Sequence, residues 1–196
     1  MTTAHVRKGI VISNKGQSLI ELTLMTPLML LLIFGVIEVG SVISSYLRLS
    51  QLTREGANLT SRGETPNNAL DAITAAGAPM IRNNNLTQWK IVYSKIIQDP
   101  LIPCNPPQPC TYIIDRNNPP ASPSQLIRGN LGQSSKIGGV GSVVTLPGRE
   151  TILPNQKLHA IEIFYDYGPS IITYVGKMIN QLFYERTIFT DVSGKP

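Results

Sequence analysis

From Leu22 to Leu47 the chain carries no Lys, Arg or Asp, and Glu38 is the only side chain charged at neutral pH among those 26 residues. At about 1.5 Å per residue a helix over this run reaches about 39 Å, more than the about 30 Å hydrocarbon core of a bilayer. The pattern predicts one helix from Gln17 to about Ser61 whose first half is membrane-embedded. Pro27 lies inside it; the missing N–H and the crowding at Thr26 predict a kink or a locally opened turn near residues 23 to 27. Past Leu47 the helix turns amphipathic, with Leu49, Leu52, Ala57 and Leu59 set among Arg48, Gln51, Arg54 and Glu55, and Gly63, Thr65 and Pro66 end it. Leu70, Ile73, Ala76 and Met80 recur at helical spacing and predict a second helix from Asn67 to about Ile81, closed by Asn83, Asn84 and Asn85.

Beyond this point the period shortens to two. Trp89, Ile91 and Tyr93 alternate with polar residues, and Thr111 to Asp115 is a shorter β-rich run. Residues 100 to 123 hold eight of the 15 prolines and read as extended loop, and residues 124 to 157 show no dominant period. Leu158 to Tyr167 places Ile161, Ile163, Tyr165 and Tyr167 on one strand face; a helix over Ile171 to Leu182 and a strand over Phe183 to Val192 complete the pattern. The fold class is α+β: a long N-terminal pilin-like helix, then an antiparallel sheet packed on helix. Three regions follow: residues 1–16, a basic leader; residues 17–62, the long helix; and residues 63–196, an exported domain with a proline-rich loop at 100–123.

Charge fixes the orientation. The leader contributes Arg7, Lys8 and Lys15 and no acidic residue, and such a basic flank stays cytoplasmic, so the chain after about Arg48 lies outside. Residues 17–196 carry 14 basic and 12 acidic side chains, so most of the net +5 belongs to the leader and no basic stripe remains for nucleic acid. In an oxidising compartment the two cysteines, Cys104 and Cys110, are expected to form a disulfide closing a short proline-rich loop. No metal site is expected, because a zinc site needs two further ligands and His159 is the only histidine outside the leader. No nucleophile is tied to His159 by spacing, and Gly138-Gly139-Val140-Gly141 lacks the Lys and Ser/Thr of a phosphate loop. No enzyme activity or cofactor is therefore expected.

The candidate chemistry lies where the leader meets the helix. A carboxylate at the depth of Glu21 costs about 2.5 to 3.5 kcal/mol if isolated in hydrocarbon, and it calls for a partner or wet surroundings. A cut after Gly16 creates that partner, since the new α-amino group on Gln17 of one subunit can neutralise Glu21 of a staggered neighbour. The bland alternative is that Glu21 marks the cytoplasmic end of an ordinary signal-anchor helix. An ordinary signal peptidase is not expected to remove the helix, because the apolar run exceeds about 7 to 15 residues and no Ala-x-Ala site follows it. Gly40 with Ser44 and Ser41 with Ser45 are small pairs four apart, which suits close helix contact in a membrane.

The segments Lys15-Gly16-Gln17-Ser18-Leu19-Ile20-Glu21, Ile33-Phe34-Gly35-Val36-Ile37-Glu38-Val39-Gly40 and Arg54-Glu55-Gly56-Ala57 together resemble the TadE-like minor pseudopilins of tight-adherence (Flp-type) pili. The likeness is close over about residues 15 to 62 and continues weakly in the aromatic run from Ile163 to Pro169. It implies that a membrane-bound prepilin peptidase cuts between Gly16 and Gln17 and that the product takes part in pilus assembly; beside it, Glu21 is read as the assembly partner of that N-terminus and Pro27, Gly35, Glu38 and Gly40 as helix-packing positions, with Glu38 at the outer interface. It further implies a bacterial inner-membrane location and, as partners, that peptidase, other pilin or pseudopilin subunits and the pilus assembly platform. An uncleaved signal-anchored binding module, using the loop at 100–123 for a ligand, fits the same segments, and cleavage after Gly16 separates the two readings.

Overall fold

The computed structural model describes residues 15–78, 80–81, 84–102, 110–117, 123–144, 156–168 and 182–191, with the backbone only for residues 15–18. Helix α1 runs over Lys15–Ser61 and α2 over Pro66–Ala76. A single 3-10 turn at Leu86–Gln88 leads into strand β1, Trp89–Gln98, followed by β2 (Tyr112–Ile114), β3 (Gln125–Gly129), β4 (Val143–Val144), β5 (Leu158–Asp166) and β6 (Leu182–Thr190). The strands form one six-stranded sheet in the order β4-β2-β1-β5-β6, with β3 pairing β1 on the β2 side, and every pairing is antiparallel. The α+β architecture expected from the periodicity is the one observed.

The link between the helices follows from local chemistry. Gly63 takes a positive φ of 96°, where a side chain would be strained, and so breaks α1. Thr65 then caps α2, its hydroxyl accepting from the Asn68 N–H at 3.3 Å, and Pro66 occupies the first helical turn, where it forfeits no hydrogen bond. The second helix stops at Ala76, short of the expected Ile81. Gly77 closes it through its N–H to the Ile73 carbonyl at 2.8 Å, and the following Pro79 of the sequence disfavours helix at Ala78. Ile81 instead folds into the core, 2% exposed.

The expected interruption near Pro27 is met by a helix that continues on both sides of the ring. The proline withholds one N–H from a 47-residue helix, and the turns around it keep their bonds while the Thr23 and Thr26 hydroxyls donate to the carbonyls of Leu19 and Leu22. The stretch that showed no period, residues 124 to 157, supplies β3 and β4. The helix expected over Ile171 to Leu182 lies outside the described residues except for Leu182, the first residue of β6.

Two apolar layers cover the sheet. Leu49, Leu52 and Ala57 of α1, with Leu70 and Ile73 of α2, pack on Trp89, Ile91 and Tyr93 of β1 and Ile161 and Ile163 of β5. On the other face Ile96, Ala160 and Leu158 meet Ile114, Val144 and Ile137. Ile137 belongs to a loop pinned by the fully buried Glu162, whose carboxylate accepts from the Lys136 and Ile137 N–H groups at 3.0 and 3.3 Å, from the Tyr184 hydroxyl at 2.9 Å and from the Ser135 hydroxyl. Four donors offset the desolvation of one buried charge.

Candidate functional site

One helix serves two surroundings. From Leu19 to Leu47 nearly every large apolar side chain of α1 is exposed, for example Leu24 at 71% and Val36 at 74%, whereas Leu49 is 0% and Leu52 3% exposed. Within the exposed half, Gly35, Glu38, Val42 and Ser45 are half-buried, spaced by three and four residues, and continue into Leu49, Leu52 and Gly56. From Val42 onward that spacing follows the helix side packed on the head, whereas nothing stands within 4 Å of a Cβ at Gly35. By length and composition this helix can cross a membrane.

The positions read from the sequence fall in three places along it. Gly16 and Gln17 lie in the first helical turn, which begins at Lys15, two residues earlier than expected. Glu21 is four residues past Gln17 and exposed, so the two positions share a helix face one turn apart. Pro27 and Gly40 are exposed, and neither Gly35 nor Gly40 has an atom within 4 Å of where a Cβ would stand. Glu38 lies 17 residues beyond Glu21, about 25 Å along the helix, so no acid pair forms between them.

The segment Arg54-Glu55-Gly56-Ala57 divides in two. Arg54 and Glu55 are exposed, whereas Gly56 and Ala57 are buried. A Cβ on Gly56 would stand 2.1 Å from Ile73 Cδ1 and 3.0 Å from Ile161 Cδ1, so the glycine lets α1 approach α2 and β5 together. Its first role is packing. Cys104 lies outside the described residues, and its bond to Cys110 remains a proposal.

The helix is also fastened to the head by polar contacts that periodicity does not reveal. Arg48 donates through Nη2 to the carbonyls of Ala76 and Ala78 at 2.9 and 2.6 Å, covering the C-terminal end of α2. The Ser50 hydroxyl donates to Glu185 at 3.4 Å, and Thr187 and Thr53 share a bond of 3.1 Å. Ser41 and the Tyr167 hydroxyl meet at 2.7 Å. Around them Phe183 is ringed by Tyr46, Tyr167 and Tyr165, at centroid distances of 6.3, 5.8 and 6.5 Å. Only the aromatic run toward Tyr167 hinted at this junction.

At the opposite end of β5 sits a second polar cluster. The Tyr93 hydroxyl and His159 Nδ1 are 2.8 Å apart, His159 Nε2 and Asp191 Oδ2 3.6 Å, and Lys95 and Asp115 2.9 Å. Burial lowers the His159 pKa against the raising effect of Asp191, and burial, then Asp191 and Asp115, raise that of Tyr93. The pair is therefore a phenol donating to a neutral imidazole. Among the described residues no serine or cysteine joins it, and Nε2 has no hydrogen-bond partner, so the arrangement reads as a structural core histidine. Among the described residues no group of three His, Cys, Asp or Glu side chains is placed to hold a metal ion.

The fold defines a class: an α+β head whose core includes the distal half of one long helix, the other half of which is long and apolar enough to cross a membrane. Residues 16–58 match the family of TadE-like proteins, a match of 43 of the 196 residues that runs from the candidate cleavage glycine to just past Ala57. Over this helix the chain is similar to TadE-like proteins, and the helix is long and apolar enough to serve as a single-pass anchor. No curated protein and no solved structure matches it.

Proposed function

We propose that this protein is a minor pseudopilin-like structural subunit that takes part in assembling a tight-adherence pilus or a related filament after a prepilin peptidase cuts between Gly16 and Gln17. The observation that carries the reading is the divided helix: Leu19 to Leu47 is exposed, while Leu49 to Ser61 is held by the head. Such a half is stable in lipid, and equally against the same half of neighbouring subunits, where van der Waals packing and small residues replace lipid contacts. The cut removes Arg7, Lys8 and Lys15, the charges that hold the N-terminus in the cytoplasm, and so frees the helix to be withdrawn outward. It also leaves an amine on Gln17 for Glu21 of a neighbour, while Pro27, Gly35, Glu38 and Gly40 provide helix contacts.

In this reading residues 1–16 are the leader, 17–62 the helix and 63–196 the exported domain, with Arg48 to Ser61 belonging to both. The protein sits in the bacterial inner membrane with its head in the periplasm, and its partners are the peptidase, pilin or pseudopilin subunits and the assembly platform. Cys104 and Cys110 are bonded, a proposal supported by the lack of any free thiol among the described residues. A photoreactive residue in place of Leu31, 59% exposed, tests the assembly role in the native host. It should capture other pilus subunits in wild type and lose at least about tenfold of that yield with Glu21→Gln, at equal abundance; capture at wild-type yield in the variant contradicts the pairing.

A further inference from the structure

The helix fixes the height of the head above the membrane. About 20 helical residues cross about 30 Å of hydrocarbon, so a span beginning at Leu19 to Glu21 ends at Val39 to Ser41. Glu38, the first ionisable side chain after Glu21, agrees with that boundary. Ser41 is also where the head first touches the helix through a hydrogen bond among the described residues, at the Tyr167 hydroxyl. The contacts then climb together: Tyr46 with Phe183, Ser50 with Glu185 and Thr53 with Thr187, so β6 rises away from the membrane beside α1.

The aromatic cluster of Tyr46, Tyr165, Tyr167 and Phe183 therefore occupies the helix levels of residues 41 to 46, about 8 Å of rise. The polar interfacial layer of one leaflet is about 5 to 8 Å thick, half the difference between the whole bilayer and its hydrocarbon. Three of the seven tyrosines fall within it. Rings with one apolar body and one polar tip favour that layer over both hydrocarbon and water. At the same height Ile43 and Leu47 of α1 are 54% and 56% exposed and Tyr46 is 44% exposed, a surface continuous with the lipid-facing helix.

We propose that this end of the sheet, the half-buried Tyr167 and Tyr165 of the head, the latter also packed on the core, together with the exposed Tyr46 of the helix, is a docking surface for the phospholipid headgroup layer, so that the unassembled subunit rests its head on the outer leaflet. The proposal depends on the membrane-anchor reading of α1. It gives the aromatic end a role before assembly: the head is held at a set height and tilt while the helix waits in lipid, and withdrawal exchanges this surface from lipid to neighbouring subunits.

The test uses the full chain reconstituted into phosphatidylethanolamine–phosphatidylglycerol vesicles, with p-benzoylphenylalanine placed singly at Leu30, Tyr167, Tyr165 or Phe189. Phe189 is 38% exposed and lies six residues beyond Phe183 on β6, about 20 Å higher. Intact mass after illumination should show phospholipid adducts at Leu30 and at Tyr167, at least about tenfold above those at Phe189. The Tyr165 probe repeats the measurement without disturbing the bond to Ser41. Adducts at Leu30 with none at either tyrosine overturn the docking surface and leave the anchor standing; no adduct at Leu30 overturns both. Equal adducts at Phe189 and Tyr167 contradict a defined seat.

Discussion

The two halves of α1 are made of similar apolar residues, yet one exposes nearly all of its large apolar side chains and the other buries its apolar face in the head. Leu31 is 59% exposed and Leu49 0% exposed on the same unbroken helix. What separates them is the company of small and polar side chains. In the second half Gly56 and Ala57 allow close approach, Arg48 covers the end of α2, and Ser50 and Thr53 bond to β6. In the first half Gly35 and Gly40 face open space, and apolar side chains wait for lipid or another helix. Apolar content alone therefore does not distinguish an anchor from a core helix; the distinction lies in whether the rest of the chain supplies a partner.

The largest expected effect breaks this comparison with one substitution made twice. Leu49→Ala should lower the stability of the head by about 2 to 5 kcal/mol, the cost of a buried leucine and its cavity, whereas Leu31→Ala should leave thermal unfolding of the head in detergent unchanged. Equal melting temperatures for the two variants contradict the division. A smaller effect comes from the glycines. Gly56→Leu should cost about 1 to 3 kcal/mol by driving Ile73 and Ile161 off their positions, while Gly40→Leu should spare folding and impair capture of partner subunits. Unchanged capture by the Gly40 variant removes that glycine from the assembly surface.

The smallest effect sharpens the comparison within the head. His159 is buried and its pKa is lowered chiefly by desolvation, so the unfolded chain takes up a proton that the folded head refuses. Its contribution is complete above the unfolded value of about 6.5 and is lost as pH falls from there through the folded value. Thermal unfolding of the head should thus weaken below about pH 6.5, with Tyr93, Lys95, Lys157 and Asp191 facing the ring, and His159→Gln should flatten that slope. A slope identical in the variant assigns the pH dependence to other groups.

Much of this division was legible in the sequence because it is local. The uninterrupted run to Leu47, the breaks at Gly63 and Thr65 and the alternation of Ile161, Ile163 and Tyr165 each need only neighbours to be read. The long-range features were not. Ser41 and Tyr167 are 126 residues apart, so nothing in either neighbourhood announces their bond. Strand β3, Gln-Leu-Ile-Arg-Gly, has too few apolar residues to show a period and is a strand because β1 supplies its ladder, from Lys90 opposite Gly129 to Ser94 opposite Gln125. Glu162 offers the same lesson, since an isolated glutamate in an apolar strand reads as a solvent-facing residue until the loop from Ser135 to Ile137 closes over it. In the candidate site, the segment from Arg54 to Ala57 was visible as a motif, but its division into an exposed charged pair and a packed small pair required the positions of Ile73 and Ile161.

The central claim is that the exposed half of α1 is freed for assembly by a cut that leaves the helix intact. The most direct test is the intact mass of the protein isolated from its native host. The expected result is a chain beginning at Gln17 that retains the whole apolar helix, and a full-length, membrane-retained precursor when Gly16→Asp crowds the protease subsite. A mature protein that still carries residues 1 to 16, or one that begins after about Ser44, contradicts it.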